Sequence, residues 1–148
     1  MNPASILRLK SLLSRELSSL LSYLSGAWPW AGVKEQALIR QLDSIAAEEQ
    51  AAQQQLGNAL RKMRVVPPNG RFPMDFTTMH YVAVDFVLPK LVAEQEGLIA
   101  AAAGDAAQVD ADARPLIEAF VELKKRHLDA LQRLAADHAG AKAVSTLR

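Results

Sequence analysis

Between Leu38 and Met63 one helical face carries Leu38, Leu42, Ile45, Glu49, Ala52, Leu56, Leu60 and Met63, in steps of three and four residues. That spacing folds as an amphipathic helix with a single buried stripe. It also sets a carboxylate, Glu49, where an aliphatic side chain is expected. Burying a carboxylate is unfavourable unless a cation or hydrogen-bond donors meet it. Two other segments repeat the pattern. Glu16 falls in the stripe Leu9, Leu13, Glu16, Leu20, Tyr23, and His127 falls in Leu116, Phe120, Leu123, His127, Leu131, Leu134. Titratable groups on the inner faces of several helices imply an internal polar site.

The bulk composition agrees with a helical chain. Half of the 148 residues are hydrophobic but only 5% are aromatic, so the apolar content is largely leucine and alanine, both strong helix formers. One domain spanning residues 1–148 is expected. The 17 basic and 16 acidic residues give a net charge of +1, which offers no general attraction to nucleic acid or to an anionic membrane. There is no cysteine, which removes disulfides, thiol catalysis and thiolate metal sites. Charged residues interrupt the leucines of residues 1–25, so no signal peptide is expected. No run approaches the roughly 18 apolar residues of a membrane span. The expectation is a cytoplasmic protein.

Breaks in the periodicity predict four helices, at about 3–24, 33–64, 76–103 and 113–139, with a frayed tail over 140–148. Asn2 and Pro3 suit the first helix start. Ser25 to Gly32 ends that helix, and Pro67-Pro68-Asn69-Gly70 ends the second. Pro89 lies inside the third and is expected to bend it. The stretch from Val65 to Asp75, extended at about 3.3 Å per residue, could run the length of a helix. A long crossover and a simple up-down-up-down order with a loose loop both fit. Tyr23 shares the face of Glu16 and could bond a core carboxylate or serve in electron transfer, although an ordinary half-buried tyrosine is the first expectation. Trp28 and Trp30 flank Pro29 and are expected to cap one end. Gln53 to Gln55 reads as a solvated face, although Gln53 could meet Glu49. His80 and Tyr81 read as a helix-start pair packed on the long connection. No Gly-x-Gly-x-x-Gly, P-loop or Gly-x-Ser-x-Gly is present.

Two helix pairs, a long middle connection and inward carboxylates resemble the ferritin-like superfamily. Ile45-Ala46-Ala47-Glu48-Glu49-Gln50 looks like the start of that family's second-helix motif, and His127-Leu128 like the end of its fourth-helix motif. Trp28-Pro29-Trp30, Gly70-Arg71-Phe72-Pro73 and Phe86-Val87-Leu88-Pro89 resemble further elements of small bacterial ferritin-like proteins. The likeness spans roughly residues 5–138 and implies an all-α, ferritin-like four-helix bundle with a long connection between the second and third helices.

The family's di-iron site takes one glutamate from each of two helices and a Glu-x-x-His pair from each of the other two. Carried over, Glu16 matches the first-helix glutamate. Glu49 matches the second, but its partner position holds Ala52; Glu48 would need Ala51. In the third helix Asp85, Glu94 and Glu96 are candidates, with Asp85 preferred. His127 matches the fourth-helix histidine, but three residues earlier stands Lys124. A lysine repels a metal ion where a glutamate would bind it. The resemblance therefore implies a degenerate centre: a core cluster of Glu16, Tyr23, Glu49, Asp85, Lys124 and His127, in which Lys124 replaces the metal charge and no cofactor is needed. The alternative is a mononuclear iron, manganese or zinc site from Glu16, Glu49, Asp85 and His127, with Lys124 turned to solvent. The expected function is a non-catalytic binding, scaffold or oligomerisation module, as a homodimer or with a protein partner. A metal-binding oxidoreductase or storage protein is the second reading, and a small-ligand carrier the third.

Overall fold

A computed structural model of the chain describes residues 1–29 and 31–146, with side chains as far as residue 140. Among these all the regular structure is helical, with no strand. The helices are α1 (Pro3–Leu17), α2 (Leu20–Leu24), α3 (Gln36–Lys62), α4 (Val84–Ala106) and α5 (Arg114–Thr146). Two 3-10 segments, Val33–Glu35 and Met74–Tyr81, precede α3 and α4. Trp30 and residues 147–148, on which two of the expectations fall, lie outside the described residues.

The local chemistry of each boundary is visible. Asn2 caps α1 by accepting the Ser5 N–H at 2.8 Å, with Pro3 opening the helix. The expected single helix over 3–24 is instead broken at Ser18–Ser19. Ser18 Oγ bonds back to the Ser14 carbonyl at 2.6 Å, a competition with the helix ladder that bends helices. Ser19 then caps α2 by accepting the Ser22 N–H at 3.1 Å. The carboxylate of Glu94 on α4 accepts the Leu20 N–H at 2.9 Å, so a neighbouring helix holds the break. Arg64, with φ of 61°, terminates α3 in the left-handed region.

The helix expected from residue 76 begins only at Val84. Phe76, Thr77, Thr78 and Tyr81 are weak helix formers, and the Thr77 and Thr78 hydroxyls bond back to the Met74 and Asp75 carbonyls at 2.8 and 2.9 Å. Asp110 opens α5, accepting from the Ala113 N–H at 3.0 Å and from the Asn2 N–H at 2.6 Å. That helix continues to Thr146, past the expected fraying point.

Two aliphatic clusters form the core. The first holds Leu9, Leu12, Leu13, Leu56, Leu60, Ala102, Ala106 and Ile117, among others; the second holds Leu20, Leu24, Leu38, Leu42, Val84, Leu88, Leu91 and Leu131, among others. Their membership fixes direction. Helices α1 and α5 run from the first cluster towards the second, and α3 and α4 run the opposite way. Residues 63–83 therefore travel from one cluster back to the other: Met63 and Val65 pack on the first, Phe76, Met79 and Val82 on the second. On this path Arg71 donates its N–H to Ser18 Oγ at 2.8 Å. Gly70 lies so close to α1 that a Cβ there would sit 2.5 Å from the Leu17 carbonyl oxygen.

That contact generates a pair of opposite expectations. Gly70→Ala must push the connection off α1 and is expected to lower stability by about 1–3 kcal/mol. Gly97→Ala, inside α4 with nothing within 4 Å of the new methyl, should raise it by up to about 1 kcal/mol. Denaturant unfolding of both variants checks the two signs.

Candidate functional site

Between the aliphatic clusters lies a polar layer. On α1 the chain passes from Leu13 to Leu20 through Glu16. On α3 it passes from Ala46 to Leu56 through Glu49 and Gln53. Gln95 occupies the layer on α4, and Lys124 and His127 occupy it on α5. All six are buried. Lys124 is 0% exposed, Glu16 1% and Glu49 3%.

Lys124 is the hub. Its ammonium donates to Glu16 Oε2 at 2.7 Å, Glu49 Oε1 at 2.8 Å and Gln95 Oε1 at 3.0 Å. An ammonium has three N–H donors, and each has found an acceptor on a different helix. Glu49 is equally satisfied. Its second oxygen, Oε2, accepts from Gln95 Nε2 at 2.9 Å and bonds His127 Nδ1 at 3.0 Å. Gln95 Nε2 also donates to the Lys124 carbonyl at 3.1 Å, which fixes the orientation of its amide. The far nitrogen of His127, Nε2, meets Glu48 Oε2 at 2.6 Å. Glu48 is exposed, so the network runs from the core to solvent through one imidazole.

The broken helix is tied into the same layer. The Glu16 carbonyl accepts from Ser22 Oγ at 3.1 Å and from Gln53 Nε2 at 3.3 Å. Carbonyls released at a helix end need such partners. Gln53 thus serves Glu16, not Glu49, and is buried, although a solvated face was expected for it.

The charges explain the titration behaviour. Burial pushes the Glu16 carboxyl above its ordinary range despite the Lys124 ammonium beside it. Burial acts on Glu49 too, but hydrogen bonds from His127 and the ammonium and hydrogen bond of Lys124 outweigh it and hold its carboxyl low. For His127, burial disfavours the charged ring, yet the hydrogen bonds and charges of Glu49 and Glu48 raise its pKa overall. Two buried carboxylates face one ammonium, so an imidazolium at His127 brings the layer close to neutrality.

Glu16, Glu49, Lys124 and His127 come together. Lys124 is buried and not turned to solvent. Asp85 is a correction: it lies at the start of α4, bonded to His138 Nε2, because ten residues of helix separate it from the polar layer. The α4 residue in that layer is Gln95. Its signal in the sequence was a lone amide on the apolar face Leu88, Leu91, Gln95, Ala102. Tyr23 is not part of the polar cluster but the ordinary half-buried tyrosine that was the first expectation. It is half-buried in an aromatic group with Phe72, Phe76 and His80, at centroid separations of 5.0, 5.6 and 5.0 Å. His80 bonds the Ala27 carbonyl through Nδ1 at 3.1 Å. Trp28 packs against the second cluster and bonds Asp43.

The donor set does not fit the di-iron group that the resemblance implies. An ammonium stands between the two glutamates, an amide faces it from α4, and Ala52 offers no donor; paired metal ions need several anionic ligands at about 2.0–2.2 Å. Among the described residues, no helix is long and apolar enough to cross a membrane. No family model matches the chain, and no curated protein or solved structure matches it at a significant level.

A pH dependence follows from His127. Its folded pKa lies above the unfolded value of about 6.5, so its contribution is complete below that value and is lost as pH rises through the folded pKa. Stability of the native chain is expected to fall as pH rises above about 6.5, and His127→Gln should flatten that slope over this range. Denaturant melts across this range read the difference. An equal slope in both proteins would contradict the assignment.

Proposed function

We propose that the chain is a ferritin-like four-helix bundle whose metal centre has been replaced by an ammonium–carboxylate cluster, and that it works as a non-catalytic binding, scaffold or oligomerisation module. The observation that carries this reading is the fully buried Lys124 ammonium bonded to both Glu16 and Glu49. Metal chemistry at those carboxylates would require the ammonium to leave, and its departure would expose two acids to each other. The direction of the helices supports the ferritin-like part: the connection over 63–83 passes between the two core clusters, as a crossover in that architecture does.

A closed, internally satisfied core offers no substrate a reacting group, so the work falls to the surface. The connection bears large apolar side chains in solvent, including Met74 at 84% and Tyr81 at 91% exposure. Such side chains favour contact with a protein partner or a second copy.

Lys124→Glu tests the replacement. In the native chain, ferrous or manganous ions should produce no stabilisation that depends on Glu49. In the variant, the apo protein should lose several kcal/mol, on the order of the penalty for breaking a buried pair, and recover part of it when metal is added. Thermal melts with and without the ions give the readout. A metal-dependent stabilisation of the native chain that Glu49→Gln abolishes would overturn the proposal. For the oligomeric part, sedimentation should detect self-association that Met74→Glu with Tyr81→Glu reduces; a native chain that stays monomeric and a partner surface insensitive to these changes would count against it.

A further inference from the structure

A cleft of about 360 Å³ opens between α1, α3 and the connection over 63–83. Leu13 and Leu17 of α1 and Pro67, Pro68 and Phe72 of the connection give it apolar walls. Helix α3 lines it with Gln53, Gly57 and Arg61. The geometry points to a binding site for a small carboxylic acid with an apolar body and a hydroxyl at its far end. The Arg61 guanidinium takes the carboxylate, and Gln53 Oε1 accepts the hydroxyl hydrogen.

Gln53 is buried, at 5% exposure, yet its amide is only half used. Nε2 donates to the Glu16 carbonyl and to Ser22 Oγ, at 3.3 and 3.4 Å. Because the Glu16 carbonyl can only accept, that contact fixes which end of the amide is nitrogen. Oε1 accepts no hydrogen bond among the described residues and is not sealed off, so it opens onto the cleft. A buried acceptor of this kind calls for a donor.

Arg61 supplies the charge. Its Nη1 donates to Asn58 Oδ1 at 2.8 Å and lies 3.6 Å from the place a Cβ on Gly57 would take. The guanidinium therefore folds back along α3 towards the cleft, and its other N–H groups meet no acceptor among the described residues. No acidic side chain among the described residues lines the cleft. One guanidinium matches a singly charged carboxylate through paired N–H bonds, whereas a phosphate would set nearly two negative charges against it. From Gln53 to Gly57 is one helical turn, about 6 Å along the axis, a span that a para-hydroxyaryl acid bridges.

Gly57 keeps the cleft open. It is buried within α3, where only proline is a poorer helix former. An alanine Cβ would make ordinary contacts, at 3.9 Å from both Leu13 and Pro67, so close packing does not demand glycine. A methyl group would instead stand against the guanidinium and narrow the cleft. Binding here needs no chemistry at the Lys124 cluster, so this site and the reading of that cluster fail separately.

The test is titration of para-hydroxybenzoate and para-hydroxyphenylpropionate into the isotope-labelled full chain, followed by amide NMR. At least one acid should bind with a Kd of about a millimolar or tighter, with shifts centred on residues 13–22, 53–61 and 67–72. Benzoate lacks the donor and the methyl ester of para-hydroxybenzoate lacks the charge; each should bind at least about fivefold more weakly than para-hydroxybenzoate. Arg61→Gln should weaken binding by about tenfold or more, while Lys125→Gln, which removes a surface cation on α5, should leave it within about twofold. Gly57→Ala should raise the melting midpoint by about 2–4 °C and yet weaken binding by about fivefold, opposite signs that a purely structural glycine would not give. Absence of shifts with both acids at about 10 mM would overturn the proposal. So would binding that Arg61→Gln leaves unchanged, or equal binding of benzoate and para-hydroxybenzoate.

Discussion

A fully buried ammonium must be met by charge and by hydrogen bonds, and every other feature of the polar layer follows from how Lys124 is met. Taking an ammonium out of water is costly by several kcal/mol even after relaxation. Glu16 and Glu49 supply the opposing charge, and the side-chain amide oxygen of Gln95 takes the third donor. Each acceptor then needs its own position fixed. Gln95 is oriented by Glu49 and the Lys124 carbonyl, Glu49 by His127, and the Glu16 backbone by Gln53 and Ser22.

The layer contributes more to the choice of structure than to stability. A buried ion pair adds little compared with aliphatic packing of the same volume. It penalises alternatives heavily. Sliding any one helix by a turn would bring Lys124, Glu16 or Glu49 against leucines of the flanking clusters, with donors or acceptors unmet. The same constraint explains the interrupted first helix. A straight helix over 3–24 would keep the Glu16 carbonyl in its own ladder. At the break it keeps only a tighter-turn bond from the Ser19 N–H at 3.3 Å and also accepts from Gln53, and Glu94 steadies the new start at Leu20.

The long helices and the inward position of Glu49 were legible because side-chain spacing alone determines which face a residue occupies. Boundaries were less so. The break after Leu17 depends on the Glu94 carboxylate, far away in sequence, and the late start of α4 on threonine hydroxyls that bond back to the chain. On α5 the face read as Leu116, Phe120, Leu123 is turned slightly: Ile117 and Val121 are buried and Leu116 is 37% exposed. That small rotation brings Lys124 fully inward. Asp85 has the acidity of a core ligand but lies ten residues from the layer along α4, and Gln95, an amide without charge, carries no comparable signal. The meeting of Asp85 with His138 rests on helix direction, which follows from the path of residues 63–83 and not from any local signal.

The central claim is that Lys124 and Glu49 stabilise each other at the heart of the helical core. A double-mutant cycle with Lys124→Met and Glu49→Gln, read by denaturant unfolding, measures that directly. The account predicts a favourable interaction energy of about 2 kcal/mol or more between the two side chains. Additive effects, agreeing within about 0.5 kcal/mol, would mean that the two groups do not depend on one another and would contradict it.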